Sequence, residues 1–172
     1  MSLLSLTECR ATVNTGVSDT NLQAIIDREE ADLVDRLGDA GDGTTARTET
    51  VAIASGSSNV YLSRRIASVT SVEEAAPGGS YSTVAATAYE VWSAQGIVER
   101  VNGAWAGRVR VTYVPTDERP RWKRALIELV RIALERTAMQ EESVAKEFSY
   151  VAPPDWEAAR SNIYRTLVLP RV

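Results

Sequence analysis

Apolar residues recur at helical spacing in the segment SDTNLQAIIDREEADLVDRLG. Candidate N-caps precede the apolar run at Ser18, Asp19 and Thr20, and Thr20 forms a capping-box pattern with Gln23. The pattern predicts an amphipathic helix over residues 19–37, with one buried face and one solvated face. At about 100° per residue, its apolar side chains fall on one narrow stripe, formed by Leu22, Ile25, Ile26, Leu33 and Leu37.

Between residues 48 and 114 the pattern changes to short alternating segments that are typical of β-strands. Val109, Val111 and Tyr113 alternate with polar residues, which predicts one buried and one exposed strand face. With no helix between them, the strands indicate an antiparallel sheet. They are predicted over residues 48–54, 59–65, 66–75, 88–93, 96–101 and 107–114, and a Gln95-Gly96 turn makes a hairpin of the fourth and fifth.

A second long helix is predicted over residues 117–140, with Thr116 or Asp117 as its cap and Pro120 in its first turn. Its apolar residues spread around most of the helical wheel, which predicts burial on nearly all sides. The polar stripe that remains is narrow and consists of Arg124, Glu128, Arg131 and Glu135.

Two explanations of this wide apolar surface stay open. The helix can be the centre of its own domain, covered by helix 19–37 and the sheet. Alternatively, one side faces its own core and another faces a neighbouring copy, with the charged stripe beside the contact. The candidate residues of such an interface are Arg124, Ile127, Glu128, Arg131, Leu134 and Glu135.

The C-terminal segment, residues 141–172, has a different character. Pro153-Pro154 predicts a break, and residues 141–154 are expected to be extended and exposed. Asp155 is a suitable cap for a short helix whose apolar stripe is formed by Trp156, Ala159, Ile163 and Leu167. Such a segment either docks on a partner or folds back on its own core, and we expect docking.

The composition excludes most catalytic classes. The chain has no histidine, which removes the usual general base and zinc ligand, and its single cysteine precludes an intrachain disulfide. Phosphate-loop, dinucleotide and nucleophile-elbow motifs are absent from the sequence. The carboxylates Asp27, Glu29, Glu30 and Asp32 are expected on a solvated helix face. We therefore predict a non-enzymatic protein with no cofactor, no catalytic residue and no metal site.

Because the net charge is −4, we do not expect the chain to wrap DNA by neutralising its phosphates. The pairs Arg64-Arg65 and Arg108/Arg110 are expected to be small basic surface spots. The sequence contains neither a long apolar run nor a charged-then-apolar leader, so we expect no membrane partner and synthesis in the cytoplasm.

The order of the elements resembles that of a known family. A short helix LTECRATV precedes the turn GVSD and the helix TNLQAIIDREEADLVDRLG. After YLSRRIASVTSVEE come the hairpin AYEVWSAQGIVERVNGAW, the strand GRVRVTYV and the helix DERPRWKRALIELVRIALERT. This order is similar to that of the head–tail connector, or adaptor, family of tailed bacteriophages and prophages. The resemblance covers about residues 5–140 and includes no catalytic signature.

The resemblance implies a structural protein of the virion neck, made in the cytoplasm of a bacterial host. Copies would form a ring of about twelve, since a head-to-tail contact repeated around an axis closes a ring. The ring would join the portal protein to the stopper or tail protein, and DNA would pass through its lumen without sequence-specific binding. The resemblance also implies that the C-terminal segment reaches the portal, although the segment itself matches no motif of the family. The candidate portal-docking residues in it are Trp156, Ile163, Tyr164, Leu167, Leu169, Pro170, Arg171 and Val172.

The predicted fold class is α+β. Two long helices and a short N-terminal helix, over about residues 5–13, form a helical core with an inserted antiparallel β-sheet. An extended C-terminal tail carries a short helix. The expected organisation is an adaptor-like core over residues 1–140 and a docking tail over 141–172. The alternatives are another neck or tail-completion protein, such as a stopper or tail terminator, or a small non-viral binding module.

Overall fold

The computed structural model describes residues 2–145 and 155–169, and the side chains of 2–138 and 155–169. These residues divide into two compact units. The helical unit contains the described parts of 1–40 and 119–168, and the sheet unit contains 41–118 and Leu169. The sheet unit is thus inserted between two parts of the helical unit, as expected for this α+β protein, and Leu169 belongs to the sheet unit again.

The helical unit contains four helices, α1 (Leu6–Thr12), α2 (Asp19–Leu37), α3 (Arg119–Ala145) and α4 (Trp156–Leu167). The stripe predicted for α2 is confirmed, because Leu22, Ile26 and Leu33 are fully buried. The N-cap of α2 is Ser18, whose hydroxyl accepts a hydrogen bond from the Asn21 amide. The capping box predicted for Thr20 and Gln23 is therefore wrong, since Thr20 already lies within the first turn.

The apolar surface of α3 is covered by the other helices of the same unit. Leu126, Leu129 and Val130 are buried in one cluster with residues of α1, α2 and α4. Tyr164 and Leu167 of α4 belong to the same cluster, which shows that α4 folds back on the helical core. Each buried leucine contributes about 1.5–3 kcal/mol through burial.

The sheet unit contains two antiparallel sheets whose buried side chains form one cluster. The strand order is β1-β7-β3-β4 in the larger sheet and β2-β6-β5 in the smaller one. Val109, Val111 and Tyr113 are fully buried, which confirms the face predicted for the last strand. The strands are β1 (Arg47–Ala52), β2 (Asn59–Tyr61), β3 (Ile66–Ala75), β4 (Ser82–Thr83), β5 (Tyr89–Trp92), β6 (Ile97–Arg100) and β7 (Arg108–Pro115).

The end of α3 differs from its prediction. The helix continues to Ala145, so the expectation of an extended chain directly after residue 140 is wrong for 141–145. The expected division between core and tail at residue 140 falls inside this helix. The predicted break at Pro153-Pro154 lies outside the described residues. Asp155 caps α4 as expected, because its carboxylate accepts a 2.9 Å hydrogen bond from the Ala158 amide.

Candidate interaction surface

The charged stripe of α3 is exposed, as its pattern predicts. Arg124, Glu128, Arg131 and Glu135 all lie at the surface of the helical unit. Arg131 forms a 2.7 Å ion pair with Glu128 and donates a hydrogen bond to the Thr12 carbonyl oxygen, which joins α3 to the end of α1. In this exposed polar stripe, Arg131 is paired with Glu128, and Arg124 is a second arginine that does not belong to that ion pair.

The two apolar candidates on α3 have a different environment. Ile127 and Leu134 are half-buried and pack against the helical core of their own chain. Only part of each side chain remains accessible. The structure therefore brings all six ring-interface candidates to one side of α3, but four of them present charge and two present partial apolar surface.

The portal-docking candidates in α4 and directly after it differ in how much of each side chain is exposed. Tyr164 is 8% exposed and Leu167 is 2% exposed, because both pack in the helical core. Trp156, Ile163 and Leu169 are half-buried. Pro170, Arg171 and Val172 lie outside the described residues.

A partly buried ionic cluster joins α4 to α2. Arg160 donates to the carboxylates of Glu29 and Asp32, and its distance to Asp32 is 2.8 Å. Tyr164 donates its hydroxyl hydrogen bond to the same Asp32 carboxylate, and the Arg36 guanidinium lies 5.0 Å above the Tyr164 ring. These directional contacts join α4 to α2 in addition to their apolar packing.

The pKa values in this cluster shift in opposite directions. Burial raises the pKa of Asp32, but hydrogen bonds from Tyr164 and Arg36 outweigh it and hold that pKa below its ordinary value. Burial, together with the hydrogen bond to Asp32, raises the pKa of Tyr164 to about 12. At neutral pH the cluster therefore holds ionised Asp32 and protonated Tyr164, the states that their hydrogen bond requires.

The sequence-based prediction of a solvated face for Glu29 is wrong. Glu29 is 2% exposed and pairs with Arg160 and with Arg28. A signal for this was present in the sequence, because Glu29 stands in helical register with Ile26 and Leu33 on the buried stripe. A cavity of about 500 Å³ lies beside the cluster, bordered among others by Arg136, Trp156 and Glu157.

The basic spots expected in the sheet unit are only partly surface features. Arg64 is 6% exposed, and burial lowers the pKa of its guanidinium. Arg110 forms a 2.8 Å ion pair with Glu73 and lies 4.2 Å from the centre of the Tyr81 ring. Of these cations, Arg64 is thus buried, and Arg110 is in contact with Glu73 and Tyr81.

Other candidate chemistry is limited among the described residues. They contain no group of three acidic, cysteine or histidine side chains arranged to hold a metal ion. Across the same residues, none of the helices combines the length and the apolar character that crossing a bilayer requires.

Comparison with known proteins identifies structures of similar fold but no matching protein family. No family model matches the chain. No curated protein matches it. Among solved structures, the chain is similar to one described as "Neck of native GTA particle computed with C12 symmetry". That match has 13% identity and a TM-score of 0.52, and it covers 97% of this chain and 89% of the other.

Two related structures give the same result. A chain of "Neck of empty GTA particle computed with C6 symmetry" matches with 15% identity and a TM-score of 0.51, covering 99% of this chain and 91% of that one. A chain of "Virion of native gene transfer agent (GTA) particle" matches with 14% identity, a TM-score of 0.52 and the same coverage. At such low identity, the likeness establishes that this chain shares their fold.

Proposed function

We propose that the chain is a structural protein of the neck of a phage-like particle. In this proposal, copies form a ring that joins the portal to the stopper or tail and surrounds the path of the DNA. The observation that carries it is the fold likeness, which extends over 97–99% of the chain to structures described as necks and virions of gene transfer agent particles. The sequence-based resemblance to adaptor proteins points to the same position.

The surface of α3 supports assembly into a ring. A rotationally symmetric ring needs two different complementary surfaces on every copy. The exposed Arg124 and the Glu128–Arg131 ion pair offer directional charge on one flank of the helical unit. Half-buried Ile127 and Leu134 add modest apolar area beside it. Such a mixed surface is typical of interfaces whose partners are also stable alone.

The charge of the chain supports a passive role toward DNA. A ring whose lumen carries moving DNA should not neutralise many phosphates, since every such contact strengthens binding. The net charge of −4 and the internal engagement of Arg64 and Arg110 agree with this requirement. We propose no enzymatic activity, a view that the lack of histidine in the sequence favours.

We assign the contact with the portal to the C-terminal segment, but to a smaller set of its residues than the sequence indicated. Because Tyr164 and Leu167 are buried in the helical core, they are expected to support α4 rather than to contact the portal. The exposed Val168 and the half-buried Trp156 and Leu169 are better placed to meet a partner.

The decisive experiment is quantitative mass spectrometry of purified, DNA-filled particles from the source of this sequence. We expect about twelve copies per particle, close to the copy number of the portal, because a neck ring shares the symmetry of its neighbours. Absence of the chain from particles would overturn the proposal and favour a small binding module. Imaging of the neck then distinguishes an adaptor, which touches the portal, from a stopper or tail terminator.

A further inference from the structure

Trp92 is a large apolar side chain left at the surface of the sheet unit, with 48% of its area exposed. It lies on β5, an edge strand of the smaller sheet. Its indole Nε1 donates a 3.0 Å hydrogen bond to the Glu99 carboxylate, which holds the ring in one orientation. Strand alternation places Glu90 on the same face, directly opposite Glu99 in the register. The outer face of this hairpin therefore presents a fixed aromatic ring beside two carboxylates.

The helical unit has a groove of complementary character. It lies between α3 and α4, has a volume of about 390 Å³, and its floor includes Ala125 and Ile163. Glu128 at its border is already paired with Arg131, at 2.7 Å. Arg124 is exposed at the same border. The groove is thus apolar at its base and has the exposed guanidinium of Arg124 at its edge. Arg121, Asn162 and Thr166 complete its lining.

We propose that Trp92 of one copy inserts into the α3–α4 groove of the next copy, with Glu90 facing Arg124. This inference rests on the proposed ring and names the contact that would build it. The two surfaces lie on different units and differ in shape and charge, so the contact is heterologous. A heterologous contact propagates from copy to copy and closes a ring when its rotation returns to the first copy, whereas a contact between two identical surfaces stops at a dimer.

The chemistry of both surfaces favours a second copy as the occupant of the groove. Tryptophan is enriched among the few residues that contribute most of the binding energy of an interface. The acidic flank of Trp92 matches the basic border of the groove, which steers the correct orientation and disfavours pairing of like surfaces. Ala125 and Ile163 supply a floor of small and branched side chains, which leaves space for an indole ring.

Crosslinking between two variants that each carry one added cysteine tests the contact without requiring a complete ring. Full-length Glu90→Cys and Arg124→Cys proteins are mixed and treated with a short bismaleimide, a linker that can span the space left by the replaced Glu90 and Arg124 side chains. The wild-type chain, whose Cys9 is fully buried, measures the background. A mixture of Glu90→Cys and Asp27→Cys is the matched control, because Asp27 is exposed on α2, away from the groove. We expect the 90–124 heterodimer to exceed both homodimers and the control pair.

Charge reversal separates a contact from a general effect on folding. Glu90→Arg and Arg124→Glu are each expected to weaken self-association about tenfold or more, measured by sedimentation across a concentration series. The double variant Glu90→Arg/Arg124→Glu should recover most of the loss, because it restores an ion pair of opposite polarity. Trp92→Ala should weaken association at least as much, and circular dichroism verifies that each variant is folded.

The outcomes distinguish this contact from the ring itself. A 90–124 crosslink no stronger than the control, or single variants that associate as the wild type does, would overturn the contact. If particles then still contain about twelve copies, the neck ring stands and uses other surfaces. If the crosslink and the charge rescue are observed but the chain is missing from particles, the self-association stands and the proposed function falls.

Discussion

Removal of the Arg160 guanidinium tests whether the ionic cluster holds α4 on the helical core. Arg160→Met keeps much of the aliphatic length and removes the charge that faces Glu29 and Asp32. Glu29 has a side chain that is only 3% exposed, so it cannot turn to water for compensation. The expected result is a loss of stability of the helical unit, with the largest effect on α4.

The magnitude follows from the partners that remain. Breaking a buried ion pair by removing one member costs about 3–5 kcal/mol when the other charge is left alone. Here Glu29 keeps Arg28 at 3.0 Å, and Asp32 keeps Arg36 at 3.0 Å as well as the Tyr164 hydroxyl. Arg160 itself has a side chain that is 17% exposed. We therefore expect a lower cost of about 2 kcal/mol.

The assay is urea unfolding followed by far-UV circular dichroism, which reports mainly on the helices. Hydrogen exchange measured by mass spectrometry on peptides from 156–167 locates the effect, because α4 should open more often than in the wild type. Arg28→Met is the matched control. It removes another cation from the same Glu29, but the Arg28 side chain is 66% exposed, so a loss below about 1 kcal/mol is expected.

A double substitution decides whether the cluster acts as described. Glu29→Leu/Arg160→Met removes both the buried carboxylate and its partner, so it should be less destabilising than Arg160→Met alone. A coupling free energy below about 0.5 kcal/mol between the two sites would refute the reasoning. An Arg160→Met protein as stable as the wild type, with unchanged exchange in α4, would refute it as well.

Three further predictions address packing, backbone and pH. Leu167→Ala should lower the unfolding free energy of the helical unit by about 2–4 kcal/mol in urea titrations, because this side chain is 2% exposed. Gly96→Ala should reduce the thermal midpoint of the sheet unit, because φ is +68° and the new Cβ would lie 2.6 Å from the Arg64 carbonyl oxygen. The hydrogen bond from Lys123 lowers the pKa of Glu8 from 4.5 to about 2. The stabilisation of the folded state by ionised Glu8 is therefore present above pH 4.5 and is lost as the pH falls from 4.5 to 2. In acid titrations of unfolding, the Glu8→Gln variant should lose less stability over this pH range than the wild type does.

Much of the fold was determined by local sequence pattern. The stripe of α2, the alternation in β7 and the Asp155 cap each describe one element and its immediate neighbours, and each matches the structure. The Gln95-Gly96 turn between β5 and β6 matches for the same reason, since Gly96 has the positive φ that the turn requires. Periodicity and capping act within a few residues, so a sequence reveals them directly.

Only the tertiary structure decided what covers α3. The helical wheel correctly indicates a helix buried on most sides, but it left open a neighbouring copy or the chain's own core. The answer depends on α4, which lies far along the sequence and packs Tyr164 and Leu167 into the same cluster as Leu126 and Leu129. The continuation of α3 to Ala145 was likewise missed, because the polar segment 141–145 has no apolar stripe to indicate a helix.

The ionic cluster shows the physical limit of sequence interpretation most directly. Glu29 and Arg160 stand 131 positions apart, and although Glu29 lies in register with the apolar stripe of α2, no local pattern identifies Arg160 as its partner. Their charges are buried only because two helices meet at those positions, and the favourable pairing exists only after that packing. The sequence determined by itself which segments form helices and strands and which faces are apolar. The packing of the helices decided which charges became buried partners and which surfaces remain available to another molecule.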